Sequence, residues 1–229
     1  MLNAPIQTSA PADPGATLSS LFDMVVDGGP LMIPIGFCSV IAVAYTVERM
    51  VRLRGGRLGS PRLGRRLLDG VREGGVPAGL DLCQKSRTPL ARILAAGFQR
   101  TGCPRLELEK AVEDAGGREV RRLSAGLRPL VVVAMIAPLL GLLGTVWGMI
   151  DAFSNIAMKD GLGKPELLAS GISQALITTA AGLAVAIPTQ AAYYYFRSRI
   201  DRFVRRVEDV YAEVFGQLQP GEPLGGQTS

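Results

Sequence analysis

The sequence predicts an all-α polytopic membrane protein with three transmembrane helices and a helical cytoplasmic domain, and three observations carry that prediction. The 229 residues are 48% apolar, and the apolar residues are gathered rather than dispersed. Three stretches contain no Asp, Glu, Lys or Arg: 28–47, 129–150 and 167–196. Each is long enough to cross a hydrocarbon core, which takes about 20 apolar residues at about 1.5 Å of rise apiece. A buried helix in a water-soluble protein could account for one such run, but not for three. The third observation is where the arginines fall. None precedes Arg49. Arg49, Arg52, Arg54 and Arg57 follow the first run, Arg118, Arg121, Arg122 and Arg128 precede the second, and Arg197, Arg199, Arg202, Arg205 and Arg206 follow the third. Between the second and third runs the basic residues are Lys159 and Lys164. Basic residues near span ends are retained inside, so the N-terminus is expected outside and the C-terminus in the cytoplasm.

Taken in order, residues 1–16 are rich in Pro, Ala and Ser and read as a disordered N-terminus. Residues 17–27 carry Leu18, Leu21, Phe22 and Val25 at helical spacing, which reads as an amphipathic helix lying on the outer interface. This beginning lacks the basic residues of a secretory signal peptide, so the first span, 28–47, is expected to be retained as an anchor. Gly28, Gly29 and Pro30 break the chain before it, and Pro34 sits where a missing donor matters little. Residues 48–127 read as a cytoplasmic segment of short helices. Leu63, Leu67, Leu68 and Val71 lie on one face of the first, and further helices span 90–100 and 106–123. Breaks are expected at Gly74, Gly75, Pro77, Pro89, Gly102 and Pro104. The second span is 128–150, followed by a periplasmic loop over 151–166, in which Asp151 is expected to be solvated. The third span, 167–196, is too long for the bilayer alone. It ends in Tyr193, Tyr194 and Tyr195 at the inner interface and continues as a cytoplasmic extension over 197–218 through Ile200, Phe203, Val204 and Val207. Residues 219–229 read as a flexible tail.

Composition excludes several function classes. No histidine is present and the three cysteines are scattered, so neither a metal site nor a disulfide framework is expected. Gly163 and Lys164 lack the upstream glycine of a phosphate-binding loop, and no nucleophile elbow occurs, so no catalytic residue, cofactor or enzymatic activity is expected. The net charge of +5 is gathered at membrane boundaries without interleaved aromatics. That pattern suits anionic lipid headgroups and not nucleic acid.

The remaining candidates lie in the second and third spans. Gly141, Gly144, Thr145 and Gly148 share one helical face, as do Gly171, Ala175, Thr178, Gly182 and Ala186, with Gln174 and Thr179 beside them. Small residues in such stripes let backbones approach closely in lipid, and on their own the glycines are expected to pack helices. Thr145, Gln174, Thr178 and Thr179 could instead form a polar lining shared by several copies of the chain. A Thr hydroxyl can bond back to its own helix, whereas the Gln amide needs more partners. No span interior contains a carboxylate, Lys or His. A proton relay needs a group that takes up and releases protons; if this chain conducts protons, the titrating residue must come from a partner.

The blocks Ala137 to Ile150 (APLLGLLGTVWGMI) and Gly171 to Pro188 (GISQALITTAAGLAVAIP) resemble the MotA/TolQ/ExbB proton-channel family, and most closely its ExbB/TolQ branch. MotA-type stators have four spans against the three read here. The resemblance implies a homopentamer in the bacterial inner membrane, built around two transmembrane helices of an ExbD/TolR-like single-span partner. A membrane Asp of that partner would carry the proton, with Thr145 and Thr179 facing it. A TonB- or TolA-like protein would relay the resulting motion, energising outer-membrane transport or envelope maintenance. Many ExbB and TolQ members have Glu where this chain has Gln174, which can hydrogen-bond but not titrate. The rival readings are a membrane scaffold without ion flux and a stator for surface motility.

Overall fold

The structure, a computed structural model, describes residues 28–54, 58–59, 61–158 and 165–218. The expected N-terminal disorder, the interfacial helix over 17–27, and the tail over 219–229 lie outside these residues, as does part of the loop between the second and third spans. The described residues form α1 (Met32–Arg52), α2 (Pro61–Ser86), α3 (Pro89–Phe98), α4 (Arg105–Ala125), α5 (Arg128–Met158) and α6 (Pro165–Leu218), with no β-strand among them. Three helical stretches are long and apolar enough to cross a membrane: Met32–Arg52, which is α1, Arg105–Ser154, which covers α4 and most of α5, and Leu168–Gly216, within α6. At 54 residues, α6 runs without interruption through Pro188. Its rise of about 1.5 Å per residue makes it about 80 Å long. α5 continues to Met158, through positions expected to lie in a loop from residue 151. Asp151 is therefore an exposed helical residue and not a loop residue. Ala152 is buried and packs against Gly171, so the helix still has a face to bury beyond Asp151.

The chain divides into two units, one built from residues up to Ile41 with Val132–Pro188, the other from Ala42–Val131 with the residues from Thr189 onward. In the first, the lead-in to α1 is a turn at Gly28–Leu31, closed by Met32 N–H donating to the Gly29 carbonyl at 3.1 Å. Gly29 has φ +73°, a conformation that favours glycine. Ile33, Phe37 and Val40 of α1 and Met135, Leu139, Leu142 and Trp147 of α5 point outward, as lipid solvent allows.

The second unit has a core of large side chains. Phe196, Ile200, Phe203, Val207, Val210 and Val214 of α6 are buried, spaced alternately four and three residues apart so that they form one stripe. Against them pack Leu67 and Leu68 of α2, Leu90, Ile93, Leu94 and Phe98 of α3, and Leu108 and Val112 of α4. The Phe98 and Phe215 rings are 5.1 Å apart. In α2 the backbone leaves helical geometry at Gly75 (φ 67°), beside Pro77. α3 starts where Thr88 Oγ1 accepts from Ala91 N–H at 3.3 Å and Pro89 occupies the first helical position. Arg92 and Glu119 tie α3 to α4 through paired hydrogen bonds of 2.7 and 2.8 Å. The Arg92 guanidinium holds the Glu119 carboxyl below its ordinary range against the opposing effect of burial. Burial pushes the Cys83 thiol up to about 12. Arg49 lies against Gly126, with its Nε buried and without a hydrogen-bond partner.

Candidate functional site

The site begins with the contact between α5 and α6 in the first unit, where the backbones meet. A Cβ added at Gly182 would lie 2.6 Å from the Ala137 carbonyl oxygen. One at Gly141 would lie 3.1 Å from the Thr178 carbonyl oxygen, and one at Gly148 would lie 3.1 Å from that of Gly171. From the other side, a Cβ at Gly171 would come 3.1 Å from the Gly148 carbonyl and 2.5 Å from Ala152 Cβ. Gly144 faces the Thr178 side chain, whose Cβ is 2.6 Å from where a Gly144 Cβ would be. All five stripe glycines thus sit on one seam. Its neighbours are mostly backbone atoms, which cannot rotate away as a side chain would.

The four polar residues do not share one environment. Thr178 is 1% exposed, enclosed in the seam against Gly144. Its hydroxyl is shared between the carbonyls of Ala175 (2.9 Å) and Gln174 (3.0 Å) on its own helix. That placement encloses Thr178 within the chain, against Gly144. Thr179, one residue on and about 100° round the helix, is half-buried. Its hydroxyl reaches the Gly141 carbonyl across the seam at 3.1 Å and the Ala175 carbonyl at 3.2 Å. Thr145 is also half-buried and donates to the Leu142 carbonyl of its own helix at 2.6 Å. Gln174 is half-buried with its amide against Gly29, where even a Cβ would collide with it. The sequence reading saw Gly29 as a chain break and missed that α6 closes over it; the contact joins distant parts of the chain, and no local pattern signals it. It also passed over Thr189, which is 3% exposed. The available signal was its position two heptad-like steps beyond Ala175, on the line that Gly182 shares.

Chemically, these groups accept and donate hydrogen bonds but hold no exchangeable charge. Hydroxyls and carbonyls can order water or a protonated carboxyl, whereas uptake and release of a proton requires a titratable side chain. No carboxylate, Lys or His, the groups that could serve in such a relay, lies in 28–47, 129–150 or 167–196.

The sequence pattern of the MotA/TolQ/ExbB proton channel family matches residues 85–209, more than half of the chain. A putative biopolymer transport protein, ExbB-like 1, from Synechocystis is 31% identical over 214 residues, covering 89% of this chain and 83% of that protein. Biopolymer transport protein exbB1 of Vibrio cholerae is 40% identical over 100 residues, 42% of this chain, and that match spans less than half of the Vibrio protein (44%). The Tol-Pal system protein TolQ of Pseudomonas aeruginosa is 27% identical over 202 residues, 80% of this chain and 85% of that protein. Among solved structures, a chain of C. jejuni MotAB superposes with a TM-score of 0.51 at 17% identity, over 93% of this chain and 96% of that one. At that identity the likeness is one of fold.

Proposed function

Because the chain belongs to the MotA/TolQ/ExbB proton channel family, we propose that it is the multi-span subunit of a proton-driven motor in a bacterial inner membrane. An ExbD/TolR-like single-span partner supplies the titrating carboxylate. The observation that carries this reading is the pairing of polar groups with an absence of carriers. The spans offer Thr145, Thr179 and Gln174 on half-buried positions, yet their sequence contains no carboxylate, Lys or His to carry a proton. Such a wall works only around someone else's acid. Several copies, five in the family's pattern, would surround the partner helix with these hydroxyls facing it. The N-terminus would lie in the periplasm and the C-terminus in the cytoplasm, and a TonB- or TolA-like protein would take up the motion. Thr178 is left out of the lining and assigned to helix packing.

One observation favours a scaffold without ion flux. Thr145 and Thr179 already have carbonyl partners within the subunit, so their hydroxyls are satisfied without a lumen. The double substitution Thr145→Val and Thr179→Val separates the two readings. On the motor reading, proton flux into vesicles containing the chain and its partner falls about tenfold or more, equivalent to about 1.4 kcal/mol in the barrier. Native mass spectrometry of the same preparation shows the wild-type assembly. Unchanged flux from an intact assembly would discard the lining.

A further inference from the structure

Where α1 leaves its charge-free run, its outward face becomes unusual. Val43, Val47 and Met50 are 61%, 56% and 59% exposed, at helical spacing, with Val51 beside them. Arg54 follows just past the end of α1. This apolar strip leads into a cleft of about 480 Å³ between the end of α1 and α6, lined by Met50, Val51, Arg54, Tyr195, Phe196 and Arg199. A smaller cavity of about 100 Å³ adjoins it, sharing Arg199 and adding Arg202 and Arg206. Volumes of about 300–1,000 Å³ are typical of sites for small ligands.

Three of the four arginines are held by uncharged partners. Arg199 Nη1 donates to the Leu53 carbonyl at 3.2 Å and Nη2 to the Tyr195 hydroxyl at 2.7 Å, with the guanidinium 5.2 Å from the Tyr195 ring centre. Arg202 Nε donates to the Ser198 carbonyl and Arg206 Nη1 to the Gly59 carbonyl, both at 3.3 Å. Among the described residues, none of Arg54, Arg199, Arg202 or Arg206 pairs with a carboxylate, whereas the nearby Arg52 and Arg197 do. Backbone carbonyls and a phenol orient Arg199, Arg202 and Arg206 while leaving their charge unmet, which is the arrangement that recognises a phosphate.

We infer that this cleft binds one anionic glycerophospholipid per chain, its phosphate between Arg54 and Arg199 and an acyl chain along Val43, Val47 and Met50. The order of chemistry along α1, apolar then cationic, matches a lipid, and a soluble phosphate would leave the apolar strip uncovered. The inference requires these helices to lie in a bilayer and is independent of proton conduction.

The test is native mass spectrometry of the full-length protein in detergent, titrated with phosphatidylglycerol or phosphatidylcholine. Phosphatidylglycerol should form a one-per-chain adduct that survives activation at which phosphatidylcholine is lost. The variant Arg54→Gln/Arg202→Gln, which leaves the Arg199 bonds to Leu53 and Tyr195 in place, should weaken that adduct about tenfold or more with an unchanged unfolding temperature. Arg65→Gln/Arg66→Gln removes the same charge from an exposed stretch of α2 and should not weaken it. Equal retention of the two lipids, equal loss in both variants, or ready displacement by inorganic phosphate or polyglutamate would each overturn the assignment. A motor without proton flux would leave all of these outcomes readable.

Discussion

The two halves of α6 present one stripe in two chemistries. From Gly171 through Ala175, Thr178 and Gly182 the stripe is small, and the partner backbone lies within about a methyl group's reach. From Phe196 through Ile200, Phe203, Val207, Val210 and Val214 the spacing persists, but every side chain is large and buried among other large ones. The difference follows from the solvent. In water, burying a large apolar side chain is worth about 1.5–3 kcal/mol, so bulk stabilises. In lipid the surroundings are as apolar as leucine, little is gained by hiding it, and helices associate through close van der Waals contact between backbones. The same helix therefore uses glycine as its contact residue at one end and phenylalanine at the other.

Substitutions can break this contrast from either side. The largest effect is expected from Phe196→Ala, which empties the core of the large-residue unit and should lower stability by about 3–5 kcal/mol; thermal unfolding in detergent measures it, and near wild-type stability would mean the stripe is not a core. Gly182→Val is expected to cost about 1–3 kcal/mol by overpacking, because the Ala137 carbonyl it meets is backbone. The counterpart is Gly116→Ala in α4, where a Cβ meets nothing within 4 Å and the gain should be about 0.4–1 kcal/mol. If both glycines behaved alike, the seam would be incidental. The smallest effect concerns the Arg92–Glu119 pair. Glu119 has its folded pKa lowered, chiefly by the Arg92 hydrogen bond. Its contribution is thus fully present above the unfolded carboxyl value and fades as pH falls through the folded one. Partial exposure of Arg92 keeps it at about 1 kcal/mol or less. Comparing Glu119→Gln with wild type at neutral and acid pH should show a stability gap that closes in acid.

How much of this could be read from the chain alone depends on how local each feature is. The spans followed from charge-free runs, and the seam glycines from their spacing, because both are properties of one helix at a time. Thr178 and Thr179 show where that ends. Adjacent residues of the same type differ only in which side of α6 they occupy, and that is decided by where α5 lies. Arg199 is similar: the sequence marks it as a boundary charge, while its bond to the Leu53 carbonyl, 146 positions away, has no sequence signature. The helical continuation past Asp151 was missed because an exposed charge looks like the end of a span, though the buried Ala152 keeps the helix packed.

The contact between Arg49 and Gly126 makes the two positions dependent on each other during mutation. With arginine at 49, a side chain at 126 would occupy the guanidinium's place, so Gly126→Ala requires the end of the Arg49 side chain to move. With a short residue at 49 that obstruction is gone, and the same change, made just past the end of α4 where Gly126 has φ −73°, becomes acceptable to the backbone. The cost of one substitution thus depends on the other. A paired mutational library of these two positions should recover alanine at 126 more often in chains that have already lost the arginine, an evolutionary path easier in one order than in the reverse.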